Sequence, residues 1–187
     1  MAAPDKSYVS TGKPKVGGAV YIAETTATMP TDAGTTLGDG WTSLGYISED
    51  GVTNENSPEC DTAKAWGGDI VLNLQTEKAD NFTFTLIGVL DADVLKAVFG
   101  DENVTGTLAT GITVSSKTEQ LGAKAWVIEM IMREGAVKRI LIPNGEITEI
   151  GEIVYKDDEA AGYEITIAAM PDSNGVTHKE FILRSGD

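Results

Sequence analysis

Cysteine and histidine are almost absent from this chain of 187 residues, each occurring once. Cys60 therefore cannot form an internal disulfide. It lies between Glu59 and Asp61 and reads as a chance loop cysteine, not a nucleophile or redox site. His178 stands in the polar stretch Val-Thr-His-Lys-Glu and is expected to be an exposed strand residue, since one imidazole makes a poor zinc site. Long apolar runs are missing too. None approaches the roughly 20 residues that span a bilayer, and Met1 to Val9 lacks the layout of a secretory signal. Synthesis in a cytoplasm without membrane binding is the expectation. There is no Gly-x-Ser-x-Gly elbow, Walker loop or Gly-x-Gly-x-x-Gly. No catalytic residue, cofactor or metal site is expected.

Positive charge is scarce. Fourteen basic residues face 29 acidic ones, a formal net charge of −15. A nucleic-acid binder shows the opposite balance. The acids are also clustered. Glu49, Asp50, Glu55, Glu59 and Asp61 fall between Gly45 and Ala63 without a lysine or arginine. Glu146, Glu149, Glu152, Asp157, Asp158, Glu159 and Glu164 follow later with Lys156 alone. Asp157-Asp158-Glu159 lacks the calcium-loop pattern and reads as a hairpin tip.

What is abundant is β-patterning. Strands are expected over 19–23, 41–48, 64–76, 81–88, 112–117, 124–133, 136–142, 146–155, 163–170 and 177–184. Glu134-Gly135, Asn144-Gly145 and Ser173-Asn-Gly175 read as tight turns. Gly67-Gly68 marks a bulge or bend, and Ile147, Ile150 and Ile153 break period two as a bulge near Gly151 would. One helix is expected over about 91–99. Asp91 caps it, Asp93 suits its positive end, Val94, Leu95, Val98 and Phe99 form its apolar stripe, and Gly100 stops it. Short strands at this spacing imply a mainly β sandwich or barrel in one domain. Trp126 reads as core, whereas Trp41 and Trp66 remain candidates for an exposed aromatic platform.

The segments Gly45-Tyr-Ile-Ser-Glu-Asp-Gly-Val52, Ala65-Trp-Gly-Gly68, Phe84-Thr-Leu-Ile-Gly88 and Val98-Phe-Gly100 occur in this order. Ile142-Pro-Asn-Gly-Glu-Ile147, Asp158-Glu-Ala-Ala-Gly-Tyr-Glu-Ile-Thr166, Met170-Pro-Asp172 and Asn174-Gly-Val-Thr177 follow. Together they resemble the major tail tube protein of long-tailed, non-contractile bacteriophages. The resemblance implies a tail-tube β-sandwich or barrel with one flanking helix, an N-terminal arm at 1–16 and a single β-domain at 17–187. It further implies hexameric rings stacking through a long loop at about 49–66, in which Glu49, Asp50, Glu55, Glu59, Asp61 and Trp66 are the candidate contacts. The tube would be the virion's conduit for genome ejection. Its partners would be other copies, tail-end proteins, and the tape measure protein and double-stranded DNA held in the lumen without specific binding. Glu129, Glu149 and Glu152 are the candidate lumen acids. A soluble β-sandwich binding module, for example for carbohydrate through Trp41 and Trp66, is the alternative.

Overall fold

The computed structural model describes residues 5–15 and 18–184. Parts of the expected arm (1–4 and 16) and of the expected domain (17 and 185–187) lie outside them. In chain order the elements are β1 (Lys13–Pro14), β2 (Val20–Ala23), β3 (Thr42–Ser43), β4 (Ile47–Lys64), β5 (Ile70–Leu86) and α1 (Ala92–Phe99). They continue with β6 (Val104–Thr107), β7 (Gly111–Val114), β8 (Lys124–Ile131), β9 (Val137–Ile150), β10 (Tyr163–Ala169) and β11 (Lys179–Leu183). The main sheet is antiparallel and open, in the order β3-β2-β8-β9-β10-β5-β4, with β1 added to β8 and β11 to β9. It is the mainly β fold with one short helix that the sequence implies, and the sheet does not close into a barrel.

Residues directly opposite across an antiparallel pair share a face. Phe82, Phe84 and Leu86 therefore lie with Ile167, Ile165 and Tyr163 on one face. Trp126 with Ile142, and Ile128 with Ile140, extend it. On this face α1 buries Val94, Leu95 and Val98. Asp91 caps the helix as expected, its side chain accepting from Asp93 N at 3.0 Å. The opposite face is divided. Near β8 and β9 the segment 24–40 covers it, and Val127, Leu141 and Ala33 are buried there. Near β10, β5 and β4 it is uncovered.

Three expectations are corrected. Asn144-Gly145 is not a turn, because β9 runs through it. A Cβ on Gly145 would stand 2.8 Å from both Ile167 Cγ2 and Trp126 Cδ1, so glycine is required for packing, and Trp126 Nε1 donates to its carbonyl at 3.1 Å. The bulge falls at Thr148 rather than near Gly151: Ile147 opposes Ile167, Glu149 opposes Thr166, and Thr148 has no partner between them. That extra residue puts Ile147 and Ile150 on one face despite their odd spacing. Finally, the stretch expected to be a loop at 49–66 is mostly strand. β4 and β5 pair from Ile47 to Lys64 and form one long hairpin that turns at Gly67-Gly68, where φ is 122° and 101°.

Candidate functional site

From Thr53 to Lys78 every residue of this hairpin is exposed. It is a free-standing arm with no body behind it, and Trp66 at its tip is fully exposed. Register sorts its side chains. Glu55, Ser57, Glu59 and Asp61 oppose Asn81, Ala79, Glu77 and Leu74 and share one face. Asn54, Asn56, Pro58 and Cys60 oppose Phe82, Asp80, Lys78 and Gln75 on the other. The paired acids Glu55, Glu59, Asp61 and Glu77 thus lie on a single face, and Glu59 and Glu77 meet directly, a like-charge pair that weakens the ribbon.

That face continues into the uncovered half of the sheet. Thr53, Thr83, Thr166 and Glu149 form one cross-strand row, with the Thr83 and Thr166 hydroxyls 3.0 Å apart. Thr85 opposes Glu164 and Ala168 opposes Glu146 in neighbouring rows. Hydroxyls and carboxylates predominate in these rows, with Asn81 and Ala168 among them, and no lysine or arginine enters them.

The expected contact residues separate. Glu55, Glu59, Asp61 and Trp66 are on the arm. Glu49 and Asp50 lie in a bulge between the pairs Ile47–Leu86 and Val52–Phe84, at the end of the sheet away from the tip. Among the expected lumen acids, Glu149 and Glu152 are exposed. Glu129 is not part of the exposed surface. Its side chain is 1% exposed, with Oε1 accepting from Arg139 Nε at 2.7 Å and Oε2 accepting from Lys15 Nζ at 2.7 Å. Arg139 also donates to the carbonyls of Asp32 and Thr35, at 2.6 and 2.8 Å. Alternation along β8 points Glu129 away from the core face as expected, but the 24–40 segment closes over that side.

His178 is likewise not a free surface residue. Its Nδ1 lies 2.6 Å from Asp80 Oδ2, and its ring meets Phe82 edge-on at 5.2 Å. Asp80, 3% exposed, also accepts from Thr177 Oγ1 at 2.5 Å and Asn54 Nδ2 at 2.9 Å. This network ties the root of the arm to the segment before β11. Burial alone would push the Asp80 carboxyl up. Hydrogen bonds from Thr177, Asn54 and His178 outweigh it and hold the group below the ordinary carboxylate value. A depressed folded pKa adds stability above the unfolded value near 3.9, lost as pH falls through the folded value. Asp80→Asn is expected to cost about 1–3 kcal/mol at pH 7 and to flatten the loss of stability on acidification. Urea unfolding at pH 7 and pH 3 checks this; an unchanged acid slope would remove Asp80 from the account.

Trp41 and Trp66 are not brought together. Trp41 precedes β3 at one sheet edge and donates to Thr28 O at 3.1 Å, while the arm leaves from the opposite edge. They form no common platform. Among the described residues, no group of three or more His, Cys, Asp or Glu is placed to hold a metal ion. No described helix is long and apolar enough to cross a membrane.

A family model described as phage tail tube protein matches residues 2–185. The chain belongs to this tail tube family. It is thus a structural protein of the phage tail, and the arm and the acidic face are features of a tail tube protein. Among solved structures it is similar to the tube-terminating cap of the anti-feeding prophage, at 11% identity and a TM-score of 0.47, over 92% of this chain and 93% of that one. Comparison with curated protein sequences finds no match. For this tail tube protein, reading along the sequence missed Glu77, Glu146 and Glu164 as companions of Glu149. Glu146 and Glu164 sit in the later acidic cluster, so the signal was present; only register puts them on one face with Glu55 and Glu59.

Proposed function

We propose that the chain assembles with itself into hexameric rings that stack as the tail tube, with its carboxylate and hydroxyl face lining the conduit for the genome. The observation that carries this reading is that face, whose rows from Thr53 to Glu149, Thr85 to Glu164 and Ala168 to Glu146 hold no lysine or arginine among the described residues. DNA carries one charge per about 1.7 Å of axis, and a wall of lysine or arginine would hold it by releasing counterions. A carboxylate wall gives no such adhesion. Its repulsion reaches only about 8 Å at physiological salt, enough to keep the duplex off the surface without binding it. The tape measure protein would fill the lumen before the DNA, and tail-end proteins would meet the two tube ends.

Glu149 and Glu164 are the positions to test, being exposed and remote from the buried ion cluster. Tubes carrying Glu149→Lys with Glu164→Lys are expected to assemble but to eject DNA more slowly, with the delay shrinking at high salt. Glu102→Lys, exposed on the helix side of the sheet, is the control. Ejection at the wild-type rate from the double variant would reject the assignment.

A further inference from the structure

The dipeptide Asn-Gly occurs twice in the chain, at 144–145 and 174–175, and the fold gives the two copies opposite surroundings. Asn144-Gly145 lies inside β9, with Gly145 buried and opposed by Ala169 on one side and Lys124 on the other. The Asn144 carbonyl accepts from Met170 N at 2.8 Å, and Trp126 and Ile167 pack against Gly145. Asn174-Gly175 lies in the exposed turn between β10 and β11. Gly175 has a φ of 76°, and a Cβ placed there would meet no atom within 4 Å. Asp172 organises this turn. Its Oδ1 accepts from Asn174 N at 2.8 Å and Val176 N at 2.9 Å, and its carbonyl accepts from Gly175 N at 2.9 Å.

We infer that Asn174 is a site of spontaneous modification, converting in the folded protein to aspartate and isoaspartate, while Asn144 is spared. Base removes the Gly175 amide proton and the nitrogen attacks Asn174 Cγ. A new C–N bond forms there, and the side-chain nitrogen takes up a proton and leaves as ammonia. Water then opens the five-membered imide at either carbonyl. One opening gives aspartate, the other isoaspartate with the main chain rerouted through Cβ. The fold decides where this can happen, because attack needs a free glycine amide and two residues able to rotate. At 174 it takes the opening of one hydrogen bond in an exposed turn, the low-cost end of local unfolding. At 144 it takes separation of β9 from its neighbours beside the core, a far costlier opening. The product alters the turn. Hydrogen bonds from the Val176 and Asn174 backbones, with a further one from the Asn174 side chain, hold the Asp172 carboxyl below its ordinary value. Conversion replaces that side-chain donor with a second carboxylate, and like charges then face each other. Val176 leads into Thr177 and His178, which clasp Asp80 at the root of the arm, so ageing of the turn loosens that clasp.

Peptide mapping tests the site. Trypsin places the two copies on separate peptides, 140–156 and 157–179. After incubation of the full chain at mildly alkaline pH, the 157–179 peptide is expected to lose its Asn174 amide progressively and to split into aspartyl and isoaspartyl forms. The 140–156 peptide is expected to keep its amide. In urea both are expected to convert. An Asn174 that stays intact in the folded chain but converts in urea would overturn the proposal, as would equal conversion at both positions without urea. Asn174→Asp supplies the product directly, and its urea midpoint is expected to fall below the parent's. Asn174→Gln, which keeps an amide but closes no five-membered ring, is expected to stay near the parent and to resist ageing. An unchanged midpoint in Asn174→Asp would overturn the link to the Asp80 clasp.

Discussion

Glu129→Ala is expected to cost the fold about 3–5 kcal/mol, the usual penalty for leaving one partner of a buried ion pair alone. The abandoned group is the Arg139 guanidinium, whose side chain is 0% exposed. It keeps the Asp32 and Thr35 carbonyls but loses its counter-charge. Domains of this kind have about 5–15 kcal/mol in total, so a large share of the stability depends on this carboxylate. Lys15→Met tests the other partner and should cost under about 1 kcal/mol, because Lys15 is one-third exposed and water screens its charge. Urea unfolding of the two variants and their double mutant gives the coupling directly. A Glu129→Ala variant within about 1 kcal/mol of the parent would show that the cluster does not hold the 24–40 segment. The same geometry fixes what Glu129→Lys can report. It puts a third cation beside Arg139 and Lys15, so lost infectivity there would reflect unfolding and not a changed lumen.

Excising the arm is expected to do the opposite, abolishing assembly while sparing the fold. Residues 58–78 can be removed and Ser57 joined to Ala79 by Asn-Gly, since these two residues are cross-strand partners and Asn-Gly closes a two-residue hairpin. Asn54 and Asp80 remain, so the network at the arm's root survives. None of the deleted residues is buried, and the stability change should stay within about 1 kcal/mol. Thermal unfolding and sedimentation check the two halves of the expectation. An excised protein that still forms tubes would free the arm from any stacking role. Deleting only 49–61 would be a poorer experiment, because it removes one strand of a pair and leaves the other without partners.

The parts legible from sequence were those whose burial follows a simple period. The helix could be read from Val94, Leu95 and Val98 with a capping aspartate before them, and β10 from the alternation of Tyr163, Ile165, Ile167 and Ala169. The arm could be read only in part: the strand expected over 64–76 holds from Ile70 onward, but 49–63 read as loop because neither face of the arm is buried and period two has little to mark. Its pairing partners also lie up to 30 positions apart, beyond any local pattern. Asn144-Gly145 misled for a different reason: the dipeptide favours turns, but here packing against Trp126 and Ile167 sets the need for glycine. Glu129 alternated correctly along its strand. What hid its role was the 24–40 segment, whose path across the sheet no spacing in the sequence discloses.

An isolated two-stranded ribbon is marginal in water, and the Glu59–Glu77 pair weakens this one further. Ordering the arm is thus a cost that falls on whichever copies first meet. In the proposed tube, each copy arriving at an existing end finds a formed surface to settle on, and the cost is offset at once. Growth from an existing end should therefore be fast and spontaneous starts rare. A solution of this protein would then show a lag that a trace of preformed tube removes.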